Sequence, residues 1–326
     1  MGGSQSSAIE DPVTVQQPAG RSFADRRADP PGEPGTAGRV PDSRKGVFRV
    51  LYSLPVLTLL LFLIAPLMLM AALSLREDLS GPILAPWDPT LSQYQTLADT
   101  PSFLRLLGVS VVVAAIVSAA TTVLAYPLAY FLRYQAGARA GLYLFLLLLP
   151  FWTSYLLRVV AWRLMLGPDG VVNSLLEGLG VISQPIEALL YNRTAVMVTL
   201  TYVWIPFSAI PILAGLQRVD TSLLEAAADL YARPAERFLR VTLPLSMPGV
   251  IVAFFICFIP TVGEYVTPLL VGGTSGTMYG NIVQDLFTRA ANWPLGSALA
   301  IVMLLTTLVL AAAAVRIIDV RRFVPR

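Results

Sequence analysis

The apolar positions of this chain gather into six long runs separated by polar segments. They cover roughly Val50–Leu75, Leu106–Leu132, Gly141–Leu166, Thr194–Gln217, Leu245–Leu270 and Gly296–Val315. A helix needs about 20 predominantly apolar residues to cross a bilayer core, and each run is of that order. The pattern predicts an all-α, polytopic membrane protein with six transmembrane helices.

The polar segments have patterns of their own. Residues 218–244 separate the fourth and fifth runs and contain TSLLEAAADLYARPAERFLRVTLP. Ser222 with Glu225 three residues on reads as a capping box. Ala226, Ala227, Ala228 and Leu230 are strong helix formers. Arg233-Pro234 breaks that helix and opens another, because proline fits the first helical position. Glu236 then sits near the positive end of the second helix and Arg240 near its negative end. Two short helices are therefore expected, ending at Leu243-Pro244 where the fifth span begins. GVVNSLLEGLGVI, after the third run, and YGNIVQDLFTRAANW, after the fifth, predict further short helices lying along the membrane interface.

Composition agrees with a membrane protein. Of 326 residues, 56% are hydrophobic and 13% charged, too little charge to cover a soluble surface of this size. Residues 1–46 differ: they are rich in Gly, Pro, Ser, Arg and Asp and predict a disordered cytoplasmic tail, with residues 47–326 as the transmembrane domain. Lys and Arg cluster in the tail (Arg39, Arg44, Lys45, Arg49), after the second run (Arg133, Arg139), in the long charged loop (Arg218, Arg233, Arg237, Arg240) and at the C-terminus (Arg316, Arg321, Arg322, Arg326). All four groups fall on one side of a six-span bundle. The positive-inside bias then places both termini and the charged loop in the cytoplasm. The net charge is only +3 and points to no nucleic acid.

The chemistry available is sparse. There is no histidine, and the one cysteine, Cys257, lies inside an apolar run. A membrane-embedded enzyme lacks its usual acid pairs, nucleophiles and metal ligands. Gly272-Gly-Thr-Ser-Gly276 lacks the lysine and the setting of a phosphate loop, so no ATPase site is expected. A secondary transporter would show inverted repeats and buried acids for ion coupling, and neither is evident. Ionisable residues inside spans are functional candidates by default. Arg158 and Glu264 fall at comparable depth in the outer parts of the third and fifth runs and are expected to approach and neutralise each other. Trp152, Tyr155, Trp162 and Tyr265 supply aromatic faces beside them, suited to a cation. Prolines in the spans (Pro55, Pro66, Pro127, Pro150, Pro206, Pro211, Pro248, Pro260) are expected to be kinks.

Glu225-Ala226-Ala227, followed by Val241-x-Leu243-Pro244, resembles the EAA loop of ABC-importer permease subunits. PFWTSYLLRVVAWRLMLGPDGVVNSLL (150–176), PTVGEYVTPLLVGG (260–273) and GNIVQDLF with NWPLGSA downstream are similar to spermidine/putrescine-type permeases. The resemblance implies the six-helix ABC type I importer permease fold, in the cytoplasmic (inner) membrane. It implies ATPase coupling through Glu225, Ala226, Ala227, Asp229, Leu230, Tyr231, Arg233, Leu243 and Pro244. Its implied partners are a cytoplasmic ATP-binding subunit dimer holding ATP and Mg, a second and different permease subunit, and an extracytoplasmic solute-binding protein. No cofactor is implied on this chain. One position departs from the pattern: the family's glycine after EAAxxL is Tyr231, where glycine would take a left-handed turn at no steric cost.

Overall fold

The computed structural model describes residues 42–77 and 89–317. Most of the expected tail, residues 1–41, lies outside them, as does the C-terminal basic cluster beyond Arg316. Helix α1 runs Asp42–Ser74, so its start precedes the expected domain boundary by a few residues. From Leu61 to Leu69 the large side chains of α1 stand exposed, and burial begins only near Leu73 and Ser74. α2 (Ser92–Asp99) leads into α3 (Pro101–Tyr134). α4 (Ala140–Leu148) and α5 (Tyr155–Leu166) follow, then the short α6 (Val171–Gly178). α7 spans Arg193–Gln217.

α8 (Thr221–Asp229) and α9 (Pro234–Arg237) are the two predicted loop helices. α10 (Leu243–Val262), α11 (Tyr279–Thr288) and α12 (Trp293–Ile317) complete the described chain. α6 and α11 are the two short helices expected after the third and fifth runs, although α11 begins with Tyr279 fully buried.

The core is a bundle of α3, α7 and α10. Small and β-branched residues line α3 at four-residue spacing: Val113, Val117, Thr121, Ala125 and Ala129 are all buried. In lipid the apolar side chains gain nothing by leaving solvent, so close backbone approach and dispersion drive such packing. Toward one end, Val113 and Val117 pack with Val159, Val196 and Leu200. Toward the other, Ala125 and Ala129 pack with Ile212, Leu216 and Ala253.

α7 and α10 approach each other closely at Gly215 and Gly249. A Cβ added at Gly249 would lie 2.3 Å from the Pro211 carbonyl oxygen and 3.0 Å from Gly215 Cα. The buried Tyr126 hydroxyl meets Ser246 Oγ at 2.9 Å and ties α3 to α10.

Three expectations need correction. The third run is not one unbroken helix. A tight turn at Leu149–Trp152 and extended backbone at Thr153 and Ser154 separate α4 from α5, and the two halves bend by 88°. Pro150 is therefore more than a kink. Thr153 Oγ1 donates to the Pro150 carbonyl at 2.6 Å, and the Ser154 carbonyl accepts from Arg158 N–H to open α5.

The fifth run is also interrupted. α10 ends at Val262, Glu264 lies in the break, and a wide helical turn follows at Pro268–Gly272.

Nor does the charged loop end at Leu243-Pro244. α9 continues through a wide turn at Phe238–Thr242 into α10, forming one apolar helix from Pro234 to Val262, 29 residues long. Pro244 lacks an N–H and its ring would clash with the carbonyl one α turn back. The wide turn resolves this: Leu243 N–H donates to the Phe238 carbonyl, five residues back, a pattern found mostly as single turns at functional sites. Arg240 thus lies inside a helix, away from any negative end.

Candidate functional site

Helix α8 projects from the end of α7 and is capped differently from the sequence expectation. Asp220, not Ser222, is the N-cap: its Oδ1 accepts from Ser222 N–H at 3.0 Å. That backbone bond, with a second from the Ser222 side chain, holds the Asp220 carboxyl below its ordinary range. Both residue types cap well; with Asp220 as the cap, Thr221 opens α8 and Ser222 becomes the second helical residue. Glu225 is exposed and makes no capping bond.

α8 closes on Tyr231. Ala232 N–H donates to the Ala227 carbonyl at 3.1 Å and Tyr231 N–H to Ala228 at 2.9 Å, the paired bonds of a Schellman motif. The residue between them must be left-handed, and Tyr231 is, with φ 58°. The departure from glycine therefore leaves the turn intact at a cost of about 1–2 kcal/mol for a residue with a Cβ. Tyr231 is 96% and Leu230 82% exposed, so the tip offers two large side chains to whatever lies outside. Arg233-Pro234 then opens α9 as expected. Glu236 Oε2 accepts from Arg233 N–H at 3.1 Å.

The loop is anchored from behind. Phe238 packs edge-on against Tyr126, centroids 5.6 Å apart, and against Tyr130 at 6.1 Å. Leu243 joins the same cluster. Pro244 is half-buried just below it. Of the predicted coupling residues, Glu225, Ala226, Asp229, Leu230, Tyr231 and Arg233 are exposed, Ala227 is half-buried, and Leu243 and Pro244 secure the helix to the bundle.

The second group of candidates surrounds the elbow between α4 and α5. Arg158 is 9% exposed. Its guanidinium lies 4.6 Å from the Phe151 ring centroid and 5.9 Å from that of Tyr155, and its Nε is buried with no hydrogen-bond acceptor. The expected ion pair with Glu264 is not formed, whereas Arg289 does pair with Asp285 at 3.4 Å. Glu264 Oε1 instead accepts from Val266 and Thr267 N–H at 2.9 and 3.1 Å, capping the helical turn after the break. Backbone donors at a helix start outcompete a distant cation because they are fixed at bonding distance.

Tyr155 stands between the two charges. Its hydroxyl meets Thr267 Oγ1 at 2.6 Å, and its ring centroid lies 5.9 Å from the Arg158 guanidinium. Trp162 faces Tyr202 at 5.3 Å. Trp152 is 76% exposed against Phe145. Tyr265 points elsewhere, lining a pocket with Gly263, Gly280 and Met303. The structure thus gathers Tyr155, Arg158 and Glu264, keeps Trp162 near them on the core, and separates Trp152 and Tyr265. Phe151 and Thr267 were missed as neighbours; Thr267, three residues after a glutamate in TVGEYVT, follows the spacing of a cap and its N3 residue.

Among the described residues no cluster of His, Cys, Asp or Glu is arranged to hold a metal.

Residues 42–324 match the family model described as the binding-protein-dependent transport system inner membrane component. The spermidine/putrescine transport system permease protein PotB of Escherichia coli (strain K12) is 36% identical over 214 residues, covering 66% of this chain and 77% of that protein. PotB of Haemophilus influenzae is 33% identical over 244 residues, covering 74% and 84%. Among solved structures, a bacterial ABC transporter that imports the acidic polysaccharide alginate superposes with a TM-score of 0.66 at 16% identity, covering 87% of this chain and 98% of that one.

Proposed function

This chain belongs to the binding-protein-dependent transport system inner membrane components, and from that premise we propose that it is the permease subunit of an importer for a small polyamine of the spermidine/putrescine type. It is a multi-pass inner-membrane protein of the importer permease fold. The observation that carries the coupling role is the exposed, capped α8–Tyr231–α9 loop, whose second helix runs unbroken into α10. The identity of over 30% with two spermidine/putrescine permeases supports the solute class. A permease for another small organic solute is the alternative, favoured by the uncompensated Arg158, which repels cations.

In this reading both termini and the loop face the cytoplasm. A dimer of ATP-binding subunits, holding ATP and Mg, grips Glu225, Ala226, Asp229, Leu230, Tyr231 and Arg233. This chain hydrolyses nothing itself. Closure of the dimer moves α8 and α9, and α10 moves with them as a continuous rod. The bundle then opens outward to take solute from an extracytoplasmic binding protein, and hydrolysis reverses the tilt. A second permease subunit, a different chain, completes the pathway.

The test is reconstitution of the complex in proteoliposomes, with labelled putrescine and spermidine delivered by the binding protein. ATP-dependent uptake, lost when Glu225 is replaced or 226–228 deleted, is expected. Undiminished uptake by those variants contradicts the coupling role. ATP-driven uptake of a different solute, with neither polyamine transported, contradicts the solute.

A further inference from the structure

Arg158 lines a pocket of about 180 Å³ between the end of α4 (Leu146, Leu147, Pro150) and the middle of α7 (Tyr202, Val203, Pro206). A buried cation persists in an apolar setting only if something compensates it. Aromatic faces from Phe151 and Tyr155 contribute, but the buried Nε has no acceptor. Glu264, the acid of this region, turns its Oε1 to two backbone N–H groups and forms no ion pair with Arg158.

Depth narrows the missing partner. Tyr202–Pro206 are the tenth to fourteenth residues of the 25 in α7, so the pocket lies at mid-span. Lipid headgroups are about 15 Å away on either side of a ~30 Å core. A cationic solute would be repelled. On the stretch of chain that supplies one wall of the pocket, Phe145, Leu146, Leu149 and Trp152 are 45%, 49%, 46% and 76% exposed, large apolar side chains left uncovered in this chain.

We infer that the second permease subunit covers this elbow and inserts an aspartate or glutamate whose carboxylate accepts from Arg158. The inference rests on the proposed two-permease assembly. It makes Arg158 an intersubunit charge receptor, not a solute contact.

The test uses the complete co-expressed complex. A photoreactive benzoylphenylalanine at Leu146 is expected to cross-link to the second permease, within a peptide containing Asp or Glu. Arg158→Met is expected to reduce retention of that subunit at least tenfold in pull-down, with partial recovery in Arg158→Lys. The same Arg158→Met change in the full chain purified alone should leave its melting temperature unchanged or raised, because an uncompensated buried charge is removed. A purely internal role predicts the reverse: a lower melting temperature and intact assembly. That outcome, or cross-linking only to lipid or labelled solute, overturns the inference. If no second permease co-purifies with the unaltered chain, the assembly reading fails first and the inference falls with it; if it co-purifies but cross-links elsewhere, only the inference fails.

Discussion

Replacing Gly249 with alanine inserts one methyl group at the α7–α10 crossing. The new Cβ would stand 2.3 Å from the Pro211 carbonyl oxygen, 3.0 Å from Gly215 Cα and 3.2 Å from Gly215 N. A comfortable C···O approach is about 3.3–3.6 Å, so the helices must part by about 1 Å at that point. All three obstacles are backbone, which no rotamer change relieves. Ile212, Leu216 and Ala253 share the crossing and are fully buried, so parting the helices also loosens packed neighbours.

Overpacking of this kind costs about 1–3 kcal/mol, and three backbone contacts put it in the upper half. The helix propensity of alanine over glycine returns about 1 kcal/mol. The clash wins, leaving a net loss of about 1–2 kcal/mol. At roughly 2–4 °C per kcal/mol for a chain of this size, the melting temperature should fall by about 2–8 °C.

The assay is intrinsic to the chain. Cys257 is the one cysteine and is fully buried on α10, so a thiol-reactive fluorogenic dye in detergent reports unfolding directly. Gly108→Ala is the control, because its added Cβ meets nothing within 4 Å and should leave melting unchanged or slightly raised. Gly249→Ala melting at or above the parent, with the control behaving as stated, refutes the close crossing.

Tyr231→Gly should remove the left-handed cost of about 1–2 kcal/mol and slow amide exchange at Ala232 by about fivefold or more, while ATPase stimulation by the complex falls because the exposed ring is gone; unaltered exchange would show that the turn carries no such cost. Asp220 has a depressed carboxyl, so its cap on α8 is fully present above the ordinary Asp value of about 3.9 and fades as pH falls through the lower folded value. Amide protection of α8 should therefore hold from pH 7 to about pH 4 and decline below it, whereas Asp220→Ala should expose α8 throughout; protection lost well above pH 4 would contradict the cap. Glu264→Gln retains an acceptor for Val266 and Thr267 and should melt like the parent, whereas Glu264→Ala should lose about 1 kcal/mol. Wild-type uptake in Glu264→Gln would remove Glu264 from the solute pathway and leave it a cap alone.

The spans and the charged loop were legible because they depend on composition and local period. Long apolar runs have one solution in lipid, and Ala226–Ala228 followed by Arg233-Pro234 has few. The interruptions were not legible as such. Pro150 followed by Thr153-Ser154 looks like one more membrane proline until the threonine hydroxyl turns back on the Pro150 carbonyl and the backbone extends. Gly263-Glu264 reads as apolar-run interior with one costly acid; it is in fact a helix end followed by a helix cap. Pro244 misled in the opposite sense, because a wide turn carries the helix past it. In each case hydropathy averaged over a window concealed a choice made by one or two backbone hydrogen bonds. The fate of Arg158 was hidden for a different reason: its neighbours come from α4, α5 and α7, and no local pattern joins them.

The unbroken run from Pro234 to Val262 has a lever's arithmetic. Its 29 residues at about 1.5 Å each measure about 43 Å. Pivoting by roughly 10° about one tip displaces the other by on the order of 7 Å, about the diameter of a narrow pore, with no need to bend or melt anything in between.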